Sequence, residues 1–184
     1  MKYLFAISLS LFSVSCLANI EQAKLPQMSN MYSHNEHLIS AGLPKSSDYA
    51  QLKVAGVDTV INLIPHDSEW DQKNGFIADP KSARASGLIH YTVAFESTAP
   101  VATMEHFIAV MDRLSVAEQD VLVHCAVNWR ASAMVYFYHA IKNGKADKSE
   151  LKPWGDLNAA FIESPSLKNF FNVIEKHYQL TPAL

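Results

Sequence analysis

The sequence predicts an α/β domain, with a central, mostly parallel sheet flanked by helices. Short β-rich apolar runs ("VDTVINLI", "LIHYTVAF", "VLVH") alternate with helix-patterned segments, the signature of strands joined by helical crossovers. The helical segments carry their own start and stop signals. A chain of 184 residues, 49% hydrophobic and without repeats or low-complexity tracts, suits one ordinary core.

The elements follow in order. "MKYLFAISLSLFSVSCLA" has one early lysine, then an apolar stretch free of charge from Tyr3 to Ala18. It is too short for a comfortable membrane span and reads as a signal peptide, residues 1–18, with Cys16 and Ala18 at the small positions before the cut. The expected location is therefore outside the cytoplasmic membrane, periplasmic, with no stable span after cleavage. Cys16 as a lipid carrier is the weaker alternative, because Ser13, Val14 and Ser15 lack the leucine expected upstream. A buried N-terminal helix is the other alternative.

Residues 19–36 are polar and uneven, and are expected to form a tether ahead of a domain spanning 37–184. "HLISAGLP" reads as a short strand entering a turn. "SSDYAQLKVAG" offers Ser47 as a helix cap, Asp48 in the first turn and Gly56 as a stop. "VDTVINLI" is a central strand ending at Pro65. Asp79, Pro80 and Gly87 give a cap, a first helical residue and a stop. "MEHFIAVMDRL" sets Met104, Phe107, Ile108, Met111 and Leu114 on one face. The run from about Ala131 to Lys142 is apolar nearly all round, so that helix should be buried, with Tyr136, Phe137 and Tyr138 in the core. Ser164 and Pro165 open a last helix that turns Leu167, Phe170, Phe171 and Ile174 inward.

Chemistry concentrates in "VLVHCAVNWRASAMVYFYHA", residues 121–140. A strand ends at His124-Cys125, a short turn follows, and a helix begins near Arg130. Such a turn aims backbone N–H groups inward, and the helix start adds its unpaired N–H groups and positive end, so together they form an anion site. A thiolate is favoured in that field. An arginine adds a two-pronged donor suited to phosphate oxygens. Cleavage of the leader would leave Cys125 alone, so no intramolecular disulfide could consume it.

"SAGLPKSSDYAQLKVAGVDTVINLI", then "LIHYTVAF", then "VLVHCAVNWRASAMVYFY" resembles a bacterial branch of the dual-specificity protein tyrosine phosphatase superfamily, among phosphatase-like and beta-lactamase-hydrolase-like domains. The likeness runs over roughly residues 37–142. It implies a cysteine-phosphatase-like fold, with Cys125 as nucleophile, Arg130 as phosphate binder and His124 ordering the loop by hydrogen bonds. A phosphorylated substrate is the implied partner, and no cofactor is implied.

The chain departs from that family pattern. Only Ala126, Val127, Asn128 and Trp129 lie between Cys125 and Arg130, one fewer than the family has. The usual loop glycine is missing, and Asn128 is the residue best able to take a left-handed conformation in its place. Ala131 stands where the family has a hydroxyl. Ser132 follows one residue later, about 100° round the helix. Glu96 stands where an acid is expected to protonate the leaving group; Asp67 and Glu69 are lesser candidates. Trp129 could wall the pocket or pack beneath it. Trp154 and Asn158 fall where such folds place a loop near the site.

Three readings stay open: a phosphatase, an inactive phosphatase-like anion binder, and a rhodanese-like sulfurtransferase using a Cys125 persulfide. The first is favoured because the chain before the loop follows the phosphatase pattern. Net charge is −3 with no basic block, which argues against nucleic acid. His34 and His37 in "HNEH" could bind a metal, but no further ligands accompany them, so a polar turn is the simpler reading.

Overall fold

The computed structural model describes residues 19–147, 151–153 and 164–180. The leader-like run, Trp154 and Asn158 lie outside them. The described strands are β1 (Tyr32–Ser33), β2 (Leu38–Ala41), β3 (Thr59–Asn62), β4 (Ile89–Thr92) and β5 (Val121–His124). They form one sheet in the order β1-β2-β5-β3-β4. β2, β5, β3 and β4 run parallel, and β1 pairs antiparallel with β2. β5 sits at the centre with Ala41 and Asn62 on either side of His124, so its C-terminal end opens between two neighbours. In open α/β sheets that is where ligands bind.

The described helices are α1 (Asp48–Val54), α2 (Glu69–Lys73), α3 (Pro80–Ala85), α4 (Pro100–Val116), α5 (Trp129–Asn143) and α6 (Pro165–His177). Successive strand residues face opposite sides, so β2, β3 and β5 feed two cores. Ile39, Val60 and Leu122 pack with Tyr49, Leu52 and Ala83 from α1 and α3. Leu38, Ile61, Val121 and Val123 meet α4, α5 and α6 on the other side, through Met104, Phe107, Met134, Phe137 and Phe170. Every residue of β2, β3 and β5 is buried, which explains their continuous apolar runs. Buried Met104, Phe107, Met111 and Leu114 lie on the face expected of α4, with Ile108 partly covered.

Several local expectations change. Ser47 begins α1 in a helical conformation and makes no cap bond; instead the Asp48 carboxylate accepts the Lys45 N–H at 2.8 Å. Asp79 does cap α3, accepting the Ser82 N–H at 2.9 Å. α4 starts at Pro100, earlier than its apolar stripe suggests, because proline is well suited to a first helical turn.

The largest correction concerns residues 19–36, which do not form a loose tether. Ile20 and Leu25 are buried in the α1–α3 core. The Ile20 N–H donates to Glu36 O at 2.9 Å and the Glu21 N–H to Ala55 O at 2.8 Å. Two apolar anchors, a short turn (Gln22–Lys24) and β1 tie the segment down. Its polar average hid them.

Candidate active site

Residues 125–128 connect the end of β5 to α5, whose first turn carries Trp129 and Arg130. The Cys125 N–H donates to Ala41 O at 3.3 Å, and the Leu63 N–H donates to His124 O at 2.9 Å, which fixes the strand end. Cys125 is 1% exposed and makes no disulfide. Asn128 is fully buried with φ 73°, the left-handed conformation that the missing glycine would otherwise supply. Asparagine tolerates that region where most residues do not. α5 begins immediately after it, so its first N–H groups face the end of the loop.

A cavity of about 650 Å³ opens over this loop. Cys125, Ala126, Val127, Trp129 and Arg130 line it from below. Asp67, Trp70 and Asp71 come from the segment after β3, and Phe95, Glu96 and Ser97 from the segment after β4. Asn62 shapes the first of these segments: its side chain accepts the Ile64 N–H at 2.9 Å and donates to Ile64 O at 3.1 Å.

Arg130 is not a loose surface cation. Its Nη1 donates to Asp71 Oδ2 at 2.9 Å and its Nη2 to Asp71 Oδ1 at 2.6 Å. The Asp71 side chain is 1% exposed and that of Arg130 is 17% exposed, so the pair is largely desolvated. Burial opposes the guanidinium charge. The Asp71 hydrogen bonds and the neighbouring Cys125 side chain outweigh it, and the Arg130 pKa rises above its usual value. Arg130 therefore stays charged beside the sulfur. The end of the fork grips Asp71, which leaves Nε and the outer hydrogen of Nη2 for a second pair of oxygens.

α2 is built to hold that carboxylate. Ser68 caps the helix by accepting the Asp71 N–H at 3.2 Å, and the Phe76 N–H donates to Asp71 O at 2.8 Å. Sequence reasoning singled out Asp67 and Glu69 and missed Asp71. Asp67 does line the cavity, and Glu69 does not. The signal available was the spacing from Ser68 to Asp71, a cap followed by an acid in the first turn.

Other expected residues fall into different places. His124 is fully buried beside the Cys125 backbone, and neither ring nitrogen has a hydrogen-bond partner of good geometry. Burial, with His90 nearby, pushes its pKa down to about 3; the Cys125 backbone only partly counters this. Ser132 is buried and donates through Oγ to Asn128 O at 2.7 Å, one turn back. Its hydroxyl is thus committed to the loop backbone. Ala131 is buried behind it and supplies no polar group.

Glu96 is exposed at the cavity rim, and its backbone is held by Thr103 Oγ1 through two 3.3 Å contacts. Trp129 is half-buried, lining the cavity on one side and packing on the core on the other. His34 does not belong to the site. It bonds Ser40 Oγ at 2.9 Å, while His37 Nδ1 bonds Asp120 Oδ1 at 2.8 Å at the far end of the sheet. Among the described residues no group of three or more His, Cys, Asp or Glu is placed to hold a metal.

A crystal structure of a phosphatase-like DUF442 protein from Shewanella putrefaciens CN-32 has the same fold. Its TM-score is 0.66 at 30% identity, over 82% of this chain and 94% of that one. The chain belongs to the DUF442 family. No family model matches it. TpbA of P. aeruginosa shares the DUF442 fold more distantly, with a TM-score of 0.56 at 18% identity over 80% of this chain and 84% of TpbA. The curated Beta-lactamase hydrolase-like protein of Xylella fastidiosa (strain Temecula1) is 28% identical over 150 residues. That match takes in 75% of this chain and 34% of the relative, so this DUF442 chain spans about a third of the curated relatives it matches.

Proposed function

We propose that this DUF442 protein is an exported, cysteine-dependent phosphatase that hydrolyses phosphate monoesters through a phosphocysteine. The observation carrying the proposal is one cavity in which buried Cys125 lies beside the charged, pre-positioned Arg130. The Cys125 thiolate attacks phosphorus, and the ester P–O bond breaks. Glu96, as the carboxylic acid, gives its proton to the leaving oxygen. Water then attacks phosphorus, the S–P bond breaks, and Glu96 takes the water's proton. Arg130 and the loop amides bind the oxygens on which transition-state charge collects.

Trp70, Phe95 and Trp129 line the cavity, and these aromatic side chains favour a flat aryl leaving group over a small alkyl one. TpbA, which shares this fold, has been crystallised with phosphotyrosine in a variant form. Export rests on the leader-like run alone; N-terminal sequencing of protein from its native cell tests it, and an intact Met1 would overturn it.

The catalytic test is hydrolysis of an aryl phosphate by residues 19–184, with vanadate inhibition and a Cys125→Ser control. Phosphate release that needs Cys125 supports the reading. Thiosulfate-to-cyanide sulfur transfer without phosphate release replaces it with the sulfurtransferase reading. Protection of Cys125 from alkylation by phosphate, without turnover, leaves an anion-binding domain.

A further inference from the structure

The N-terminal segment reaches the back of the Cys125 loop, where three stretches of chain converge. The Gly42 N–H donates to Ser29 O at 2.7 Å, and the Leu43 N–H donates to Ala126 O at 3.1 Å. Asn30 Nδ2 donates to Val127 O at 3.1 Å. In return, Asn128 Nδ2 donates to Asn30 O at 2.6 Å. Asn30 and Asn128 both hold left-handed conformations, at φ 51° and 73°. The approach is close: a Cβ on Gly42 would lie 2.9 Å from Ser29 Cβ and 3.0 Å from Ala126 O.

The two captured carbonyls matter because a trans peptide is planar. The N–H of each unit points opposite to its C=O. With Ala126 O and Val127 O held from behind, the amides of Val127 and Asn128 aim the other way. An anion cradle needs convergent amides. A loop without its glycine and one residue short has fewer ways to impose that orientation by itself.

We propose that Asn30 is a positioning residue of the active site: with Asn128 it clamps residues 126–128 from behind and aims their amides at the anion. The proposal rests on the loop being an anion cradle, and its test separates the two ideas. Asn30→Gly keeps the left-handed backbone and removes only the side-chain donor. Asn128→Gly does the same on the opposite side. The protein is residues 19–184, the probe is inorganic phosphate, and the readouts are amide exchange at 126–130, phosphate protection of Cys125 from alkylation, and KM with kcat on an aryl phosphate.

Each variant is expected to retain its sheet protection while amides 126–130 exchange faster. Phosphate protection should weaken and KM rise by about two- to fivefold, the effect of one lost hydrogen bond. The double variant should lose less than the product of the two, because the clamp is shared. Unchanged loop exchange and unchanged phosphate protection in both variants overturn the clamp. If the parent protein shows no turnover, the hydrolysis reading falls alone, and loop exchange still decides the clamp.

Discussion

Replacing Asp71 with alanine tests whether Arg130 is held for catalysis. The carboxylate is 1% exposed and receives two guanidinium bonds at 2.9 and 2.6 Å. Breaking a buried pair by removing one partner costs about 3–5 kcal/mol, because the remaining charge is left uncompensated. Arg130 keeps 17% exposure and can recruit water, so the lower end applies, about 3 kcal/mol. For a domain of this size each kcal/mol moves Tm by roughly 2–4 °C, so Tm should fall by about 6–12 °C. A fork free to swing also loses its aim at the transferred group, so kcat should fall by at least about tenfold. Asp71→Asn keeps the shape and one acceptor, and should lie between parent and alanine variant in both measurements. Urea unfolding and aryl-phosphate kinetics on the same preparations decide it. An alanine variant within about 0.5 kcal/mol of the parent, with unchanged kcat, would refute the reasoning.

Four further outcomes are expected. Arg130→Lys should lower kcat/KM for an aryl phosphate by about 30- to 1,000-fold, since an ammonium cannot span both Asp71 and two phosphate oxygens; steady-state kinetics checks it. Glu96→Gln should slow an alkyl phosphate by about 100-fold and an aryl phosphate with a good leaving group far less, because only the former needs the proton. Gly42→Ala should destabilise by about 1–3 kcal/mol in urea unfolding, as the new methyl group meets Ser29 and the Ala126 carbonyl. Stability should also fall from pH 7 to pH 5. Burial first, then His139, lowers the His34 pKa to about 4, and burial with His90 lowers that of His124 to about 3. Below about pH 6.5 the unfolded chain takes up protons that these folded rings refuse, at about 1.4 kcal/mol per pH unit for each group. His37, raised chiefly by its Asp120 hydrogen bond, acts in the opposite sense and is exposed. Equal urea midpoints at the two pH values would refute the assignment.

β3 and β5 were legible because parallel strands buried on both faces show as unbroken apolar runs; β4, partly exposed at the sheet edge, was legible from its β-branched and aromatic residues, though it ends three residues sooner than its run. Asn128 was legible for a local reason: among the four loop residues it alone tolerates a positive φ cheaply. Asp71 was not, because its importance depends on a partner 59 positions away, and an acid in a first helical turn looks like ordinary capping. Residues 19–36 were misread because two buried anchors among many polar residues leave no periodic pattern.

The clamp behind the loop joins residues 97 and 98 positions apart, and this orders events during synthesis. A chain emerges from the ribosome N-terminus first. Ser29 and Asn30 are therefore synthesised long before residues 126–128. Until β5 inserts at the centre of the sheet, between β2 and β3, the two bonds between Asn30 and residues 127 and 128 have no frame to form in. Nascent or clipped chains lacking either end of this long-range closure would leave residues 126–128 without the Asn30 and Asn128 bonds. The closure therefore depends on two stretches of chain synthesised far apart in time.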